Sequence, residues 1–205
     1  MPTYADLKQF IIADMTRDDL EDDLSALLDM HVANACEAYA NERFWFNSAL
    51  ATAVTTSGNP LVALPATIRV AERVTIPTSR RDLLPMSSLP EDTAQGEPIY
   101  FSAFNEDIRL YPTPNAALTL NVYGIARIAA PTADNDSNIW TNEARQLIAS
   151  HVRMSLYRDK FRDLEAAQAA AAARNDALTY LQRETGKRTK APLVTEFGAR
   201  RLDCW

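Results

Sequence analysis

The chain has 205 residues, of which 47% are hydrophobic and 23% charged, and its formal net charge is −6. That balance supports a packed core and excludes disorder over the whole length. With five glycines there is little material for a glycine-rich phosphate loop, and no apolar run reaches the roughly 20 residues that span a bilayer.

Met1 to Asp6 has neither a basic nor an apolar stretch, so no signal peptide is expected there. The only cysteines, Cys36 and Cys204, lie far apart, and the expectation is a reduced chain made in the cytoplasm. Charge is spread unevenly. Residues 1–30 carry eight acids (Asp6, Asp14, Asp18, Asp19, Glu21, Asp22, Asp23 and Asp29) against two bases. Residues 183–201 carry six bases (Arg183, Lys187, Arg188, Lys190, Arg200 and Arg201) against two acids. An acidic head and a basic tail suit contacts with partners of unlike charge, or two solvated surfaces.

Thr3 with Asp6 forms a capping-box signal, and Leu7, Phe10 and Ile11 follow at helical spacing. Thr16 with Asp19 repeats the start signal. The acids Asp18, Asp19, Glu21, Asp22 and Asp23 then fall near a helix start, where the helix dipole favours them. Leu20, Leu24, Leu27 and His31 form one stripe, with Leu28, Val32, Ala35 and Tyr39 beside it, which predicts a helix over 18–43. Small and β-branched residues on both sides of Gly58-Asn59 predict a hairpin, and 68–76 predicts a strand. Four prolines in 77–98 predict loop. Strands are predicted over 99–104 and 108–111 with a turn between them, and over 118–123, where Leu118, Leu120 and Val122 share a face.

Helix resumes with Thr141 as the expected N-cap and Ala144, Leu147, Ile148, His151 and Val152 as its apolar stripe. An alanine-rich helix follows over 164–185, with Gly186 as the expected stop. Residues 187–205 mix bases with Leu193, Val194, Phe197, Leu202 and Trp205 around Pro192 and Gly198, the composition of an extended arm that orders on a partner. The fold class read from this order is α+β. An antiparallel helical bundle (1–47 and 129–186) carries an inserted small antiparallel β unit (48–128) and an extended C-terminal tail (187–205).

No residue pattern assembles catalysis, a cofactor site or a metal site. Two His and two Cys lack zinc spacing. Asp134-Asn135-Asp136-Ser137-Asn138 resembles the start of a calcium loop, but Ile139 stands where that loop needs Gly, so a polar helix-capping turn is the better account. Gly186-Lys187-Arg188-Thr189 lacks the rest of a phosphate loop. His31 and Cys36 fall on different helix faces, and a Cys36–His151 pair would need the fold to join two residues that both sit near apolar stripes. Arg43-Phe44-Trp45-Phe46 is the densest aromatic cluster. It reads as a hydrophobic hinge into the β unit, or as a stacking surface for bases or a partner.

Several short motifs recur in a fixed order: Tyr4-Ala-Asp-Leu7, Arg17-Asp-Asp-Leu20, Cys36-Glu37, Trp45, Leu64-Pro65, Gly96-Glu-Pro98-Ile-Tyr100, Leu110-Tyr-Pro112-Thr-Pro114 and the 118–123 strand. By this order and spacing, residues 3–185 resemble the head-to-tail adaptors of SU10-type podophages. Here Tyr111 separates the strand from its proline, and the tail after Gly186 matches no motif.

The resemblance implies a structural protein of the virion neck. It would form a homo-oligomeric ring, dodecameric in such adaptors, between the portal protein and a tail or nozzle protein. DNA would pass through without sequence-specific binding, and no membrane would be involved. It also implies a portal-docking arm, here Lys187, Arg188, Lys190, Leu193, Phe197, Arg200, Arg201 and Trp205. Asp18, Asp19, Glu21, Asp22 and Asp23 are the expected subunit–subunit surface. The alternative is a DNA-binding or packaging accessory protein acting through the basic tail, against which the acidic net charge counts.

Overall fold

The computed structural model describes residues 1–15, 24–90 and 94–189. The chain begins with helix α1 (Tyr4–Ala13), which buries Tyr4, Leu7 and Ile11. The capping box read from the sequence forms: Thr3 Oγ1 accepts from the Asp6 N–H, and Asp6 Oδ2 accepts from the Thr3 N–H at 2.7 Å. Helix α2 (Leu24–Ala38) follows. The chain then enters ten strands, β1 (Ser48–Val54), β2 (Leu61–Ala63), β3 (Ile68–Ile76), β4 (Arg81–Asp82), β5 (Leu84–Pro85), β6 (Gln95–Gly96), β7 (Tyr100–Phe104), β8 (Asp107–Tyr111), β9 (Thr113–Pro114) and β10 (Thr119–Ala126). It returns to α3 (Ile139–Asn142), α4 (Arg145–Leu156), a π-helical turn (Tyr157–Phe161) and α5 (Leu164–Thr189).

The strands form two four-stranded sheets, β1-β10-β3-β4 and β2-β8-β7-β5, and a β6-β9 pair. Val62, Ile68, Val74, Ile76, Phe101, Ile108, Leu110, Leu120 and Val122 from both sheets share one core. A second core joins Tyr4, Leu7, Ile11, Leu28, Val32, Phe44, Trp140, Leu147, Ile148, Val152 and Leu156 around α4.

This architecture corrects the fold class expected from the sequence, a helical bundle with a small antiparallel β unit. The β part is a two-sheet body with its own core, and it is mixed, because β5 pairs with β7 and β6 with β9 in parallel. The physical reason lies in residues 77–98. Their prolines exclude helix but not short edge strands, and β5 ends on Pro85 at a sheet edge, where a missing N–H disturbs no central ladder. The hairpin expected around Gly58-Asn59 does not form either. β1 pairs with β10 and β2 with β8, so the two strands enter different sheets.

Boundaries shift for similar local reasons. The helix expected to reach residue 43 ends at Ala38. The N-cap of α3 is Asn138, whose side chain accepts from the Trp140 and Thr141 N–H groups, while the expected cap Thr141 supplies the reciprocal bond. Helix α5 runs through Gly186 to Thr189, so Lys187 and Arg188 lie on its last turn and not in an extended segment. The Thr16–Asp19 start signal falls outside the described residues.

Two glycines carry opposite expectations. A Cβ on Gly124, in β10 beside a register shift, would stand 1.9 Å from the Val70 carbonyl oxygen, so Gly124→Ala must separate β10 from β3. A Cβ on Gly186 meets nothing within 4 Å. Thermal or denaturant unfolding should show Gly124→Ala destabilised by about 1–3 kcal/mol or more. Gly186→Ala should be stabilised by roughly 0.5–1 kcal/mol through its better helix propensity.

Candidate functional site

The chain passes between its helical and β parts at two places, just before β1 and just after β10. Asn47, buried, closes the first crossing. Its side-chain oxygen accepts from the Phe44 N–H at 2.8 Å, its side-chain nitrogen donates to the Glu42 carbonyl at 2.7 Å, and its own carbonyl accepts from the Ala126 N–H at 2.7 Å. Around it stands an aromatic cluster. Phe44 stacks on Phe46 with centroids 5.1 Å apart, Trp45 meets the edge of Phe46, and Phe46 packs edge-on with Trp140. Of the two readings of Arg43 to Phe46, the geometry favours the hinge.

The end of α5 is fastened to this hinge. The Trp45 N–H donates to Thr185 Oγ1 at 3.0 Å, and that hydroxyl donates to the Leu181 carbonyl. The Arg188 guanidinium lies 3.7 Å from the centroid of the Trp45 ring, a cation–π contact, and Lys187 pairs with Glu184 at 2.6 Å. The last described turn of α5 therefore lies beside the helix–sheet junction, with Arg188 engaged there. Of the other residues assigned to the arm, Lys190, Leu193, Phe197, Arg200, Arg201 and Trp205 lie outside the described residues. So do the acids Asp18, Asp19, Glu21, Asp22 and Asp23.

Helix α1 is held by charges from elsewhere in the chain. Arg153, buried on α4, donates to the Ile11 carbonyl at 3.1 Å and to the Phe10 carbonyl, and pairs with Asp14 at 2.6 Å. One guanidinium thus satisfies carbonyls that the end of α1 leaves unpaired. At the other end, the Tyr4 and Ala5 N–H groups donate to the Asp136 and Asp134 carbonyls, and Lys8 bridges Asp29 and Asp134. Within the stretch that resembles a calcium loop, the Asp134 carboxylate pairs with Lys8, and Asp136 accepts from the Ala133 and Thr132 N–H groups, which hold its carboxyl below the usual range. Sequence reasoning gave no sign of the Arg153 cap, because a carbonyl partner has no side-chain signature.

The Cys, His and Tyr side chains with shifted proton affinity are shifted mainly by burial, whereas the shifted carboxylates Asp6, Glu37, Asp136, Asp159 and Glu184 are held down mainly by hydrogen bonds. The Cys36 thiol is pushed up to about 12 by desolvation alone. His151 is lowered by burial and by nearby Arg174 and Arg158, and His31 by burial first. His151 Nδ1 lies 2.9 Å from the Tyr39 hydroxyl, so its ring partner is a tyrosine and not Cys36. A groove of about 490 Å³ between α4 and α5 has Leu147, Ala177 and Leu181 among its lining, together with Glu143, Asp176 and Tyr180. A second, of about 250 Å³, joins Ser150 to Asp14, Arg153 and alanines of α5 and contains neither His nor Cys. Among the described residues no three His, Cys, Asp or Glu side chains gather as a metal site, and no helix is long and apolar enough to cross a membrane.

A family model described as SU10 adaptor protein matches residues 2–196. Comparison with curated proteins gave no match.

Asn47→Ala leaves the Phe44 N–H and the Glu42 carbonyl without their side-chain partner, and denaturant unfolding should show a loss of about 1–3 kcal/mol. His31 and His151 bind protons less readily folded than unfolded. Stability should therefore hold above about pH 6.5, the ordinary histidine value, and fall as pH drops through it. His151→Gln should flatten that fall in a series of melts from pH 8 to pH 5.

Proposed function

The chain belongs to the SU10 adaptor protein family, and from that premise we propose that it is a structural head-to-tail adaptor of a phage virion. In this reading it forms a ring, dodecameric as in related adaptors, between the portal protein and a tail or nozzle protein, and DNA passes through the ring. The observation that carries the reading is the extent of the family match, 195 of 205 residues, which spans both the helical and the β parts.

The junction geometry supports a role for the C-terminal arm. Residues 187–205, with Lys187, Arg188, Lys190, Leu193, Phe197, Arg200, Arg201 and Trp205, dock on the portal. The Arg188–Trp45 contact and the Trp45–Thr185 hydrogen bond fix the point from which the arm departs. An arm launched from a defined point loses less freedom on docking than one hung from a loose end, and many arms on one symmetric portal add avidity. The acids Asp18, Asp19, Glu21, Asp22 and Asp23 then serve as a surface toward the neighbouring subunit. Burial accounts for the shifted Cys, His and Tyr side chains and hydrogen bonds within the chain for the shifted carboxylates, so no enzymatic step is assigned to them.

The test mixes the purified full chain with its cognate portal and images the product by electron microscopy. A ring seated on the portal is expected. Deleting residues 190–205 should weaken portal binding at least about tenfold, a loss of roughly 1.4 kcal/mol or more. The absence of any complex would overturn the adaptor reading, and full binding by the truncated chain would overturn the role of the arm. Salt-dependent DNA binding that vanishes with the same deletion, in a chain that ignores the portal, would favour the packaging-accessory alternative.

A further inference from the structure

Among the described residues β1 is the outer strand of its sheet, paired only with β10 along Ser48–Val54. Its ladder fixes which backbone groups face outward. The Ala126 N–H donates to the Asn47 carbonyl and the Thr55 N–H to the Leu118 carbonyl. Antiparallel hydrogen bonds recur at every second residue. The odd-numbered residues therefore turn their N–H and C=O groups toward β10. Ser48, Leu50, Thr52 and Val54 turn theirs to the open side, and their side chains are all exposed, Leu50 by 56% and Val54 by 63%.

Open edges template pairing with another chain, and folded proteins blunt them with charge, proline, bulges or shortness. The other outer strands of the two four-stranded sheets are blunted. β2 has three residues, β5 has two and ends on Pro85, and β4 is Arg81–Asp82. Beyond β4, the open side of β3 is broken by two register shifts that leave Arg69 and Glu72 as extra residues, both held in ion pairs. β1 has none of these devices: it is seven residues long, uncharged, free of proline and regular in register.

We propose that free copies of this chain pair β1 to β1, antiparallel, about a two-fold axis at Ala51. The outward set is symmetric about that residue. Ser48 falls opposite Val54 of the partner subunit and Leu50 opposite Thr52 of the partner subunit, so every outward N–H meets an outward C=O. The side chains agree. Leu50 and Val54 gain cover on the outer face, and Ala49, Ala51 and Ala53, which pack against the β core from the inner face, are small enough to let two cores abut. An isologous pair of this kind uses one surface twice, whereas a head-to-tail ring uses two different surfaces. The pairing is thus a state of the free protein, covering the edge before assembly, and it does not rest on portal docking.

The register supplies its own test. Thr52→Pro removes an N–H that faces the open side and leaves the β10 ladder intact, a substitution that edge strands tolerate. Leu50→Lys adds charge at the same edge without touching the backbone. The full chain and both variants are compared by sedimentation across a concentration series, with amide exchange read along β1. Expected are a wild-type dimer with slowed exchange at Leu50, Thr52 and Val54, and variants with unchanged circular dichroism whose dimer dissociation constant rises at least about tenfold. Should Thr52→Pro not fold, Leu50→Lys decides alone. A wild type that is monomeric at every concentration overturns the proposal. So does a dimer or larger assembly indifferent to every variant that folds.

Discussion

A single backbone hydrogen bond, from the Ala126 N–H to the Asn47 carbonyl, decides much of how this molecule is arranged. It is the first rung between the strand that leaves the helical part and the strand that returns to it. A strand has a side-chain period of two, so slipping that rung by one residue would turn Ala49, Ala51 and Ala53 out to solvent and Leu50 and Val54 in against Leu120 and Val122. Asn47 is placed to prevent the slip, because its side chain is committed to Phe44 and Glu42 on the helical side of the crossing. The same crossing presents Trp45 to Thr185 and Arg188, so the parity of β1 and the seating of the end of α5 trace back to one buried amide.

Local signals in the sequence were legible where they were complete within a few residues. Thr3 with Asp6 named a real helix start. The 105–107 turn joined β7 to β8, and the alternation at Leu118, Leu120 and Val122 found the buried face of β10. The errors concern partners far along the chain. Nothing in residues 49–63 says that β1 will pair with a strand some seventy residues later and leave β2 to a different sheet. Gly186 resembled a stop because glycine is common just past helix ends. What carries the helix past it is tertiary, the grip of Trp45 on Thr185 and Arg188. The size of the β body was underestimated for a related reason. Two-residue strands such as β4, β5 and β6 have no periodicity to detect, yet they complete the sheets.

Helix α1 shows how the helical part depends on contacts that composition does not announce. It is ten residues long, too short to persist alone in water. Both of its ends are satisfied by groups remote in sequence, Arg153 at one and the Asp134 and Asp136 carbonyls at the other. Arg145 and Arg153 also lie over the Phe10 ring, so the half-exposed aromatic of α1 is covered by cations of α4. Helix α1 is therefore tied to the rest of the molecule in part by basic residues that α4 contributes.

A perturbed proton affinity marks a functional site only when a specific charged partner shares a cleft with the perturbed group. In this chain Tyr4, Cys36, Tyr39, His31 and His151 are all shifted, and desolvation is the largest cause for each. Their nearest polar partners are structural. Tyr4 donates to Asp29, which Lys8 also holds, and Tyr39 meets His151 in an edge-on ring contact. The groove between α4 and α5 includes none of the five in its lining. These five burial-shifted groups therefore lie apart from that groove. Among the described residues, the regular β1 edge leaves the backbone groups of Ser48, Leu50, Thr52 and Val54 on its open side. Such an edge offers hydrogen bonds rather than a reacting group, which accords with the adaptor family to which the chain belongs.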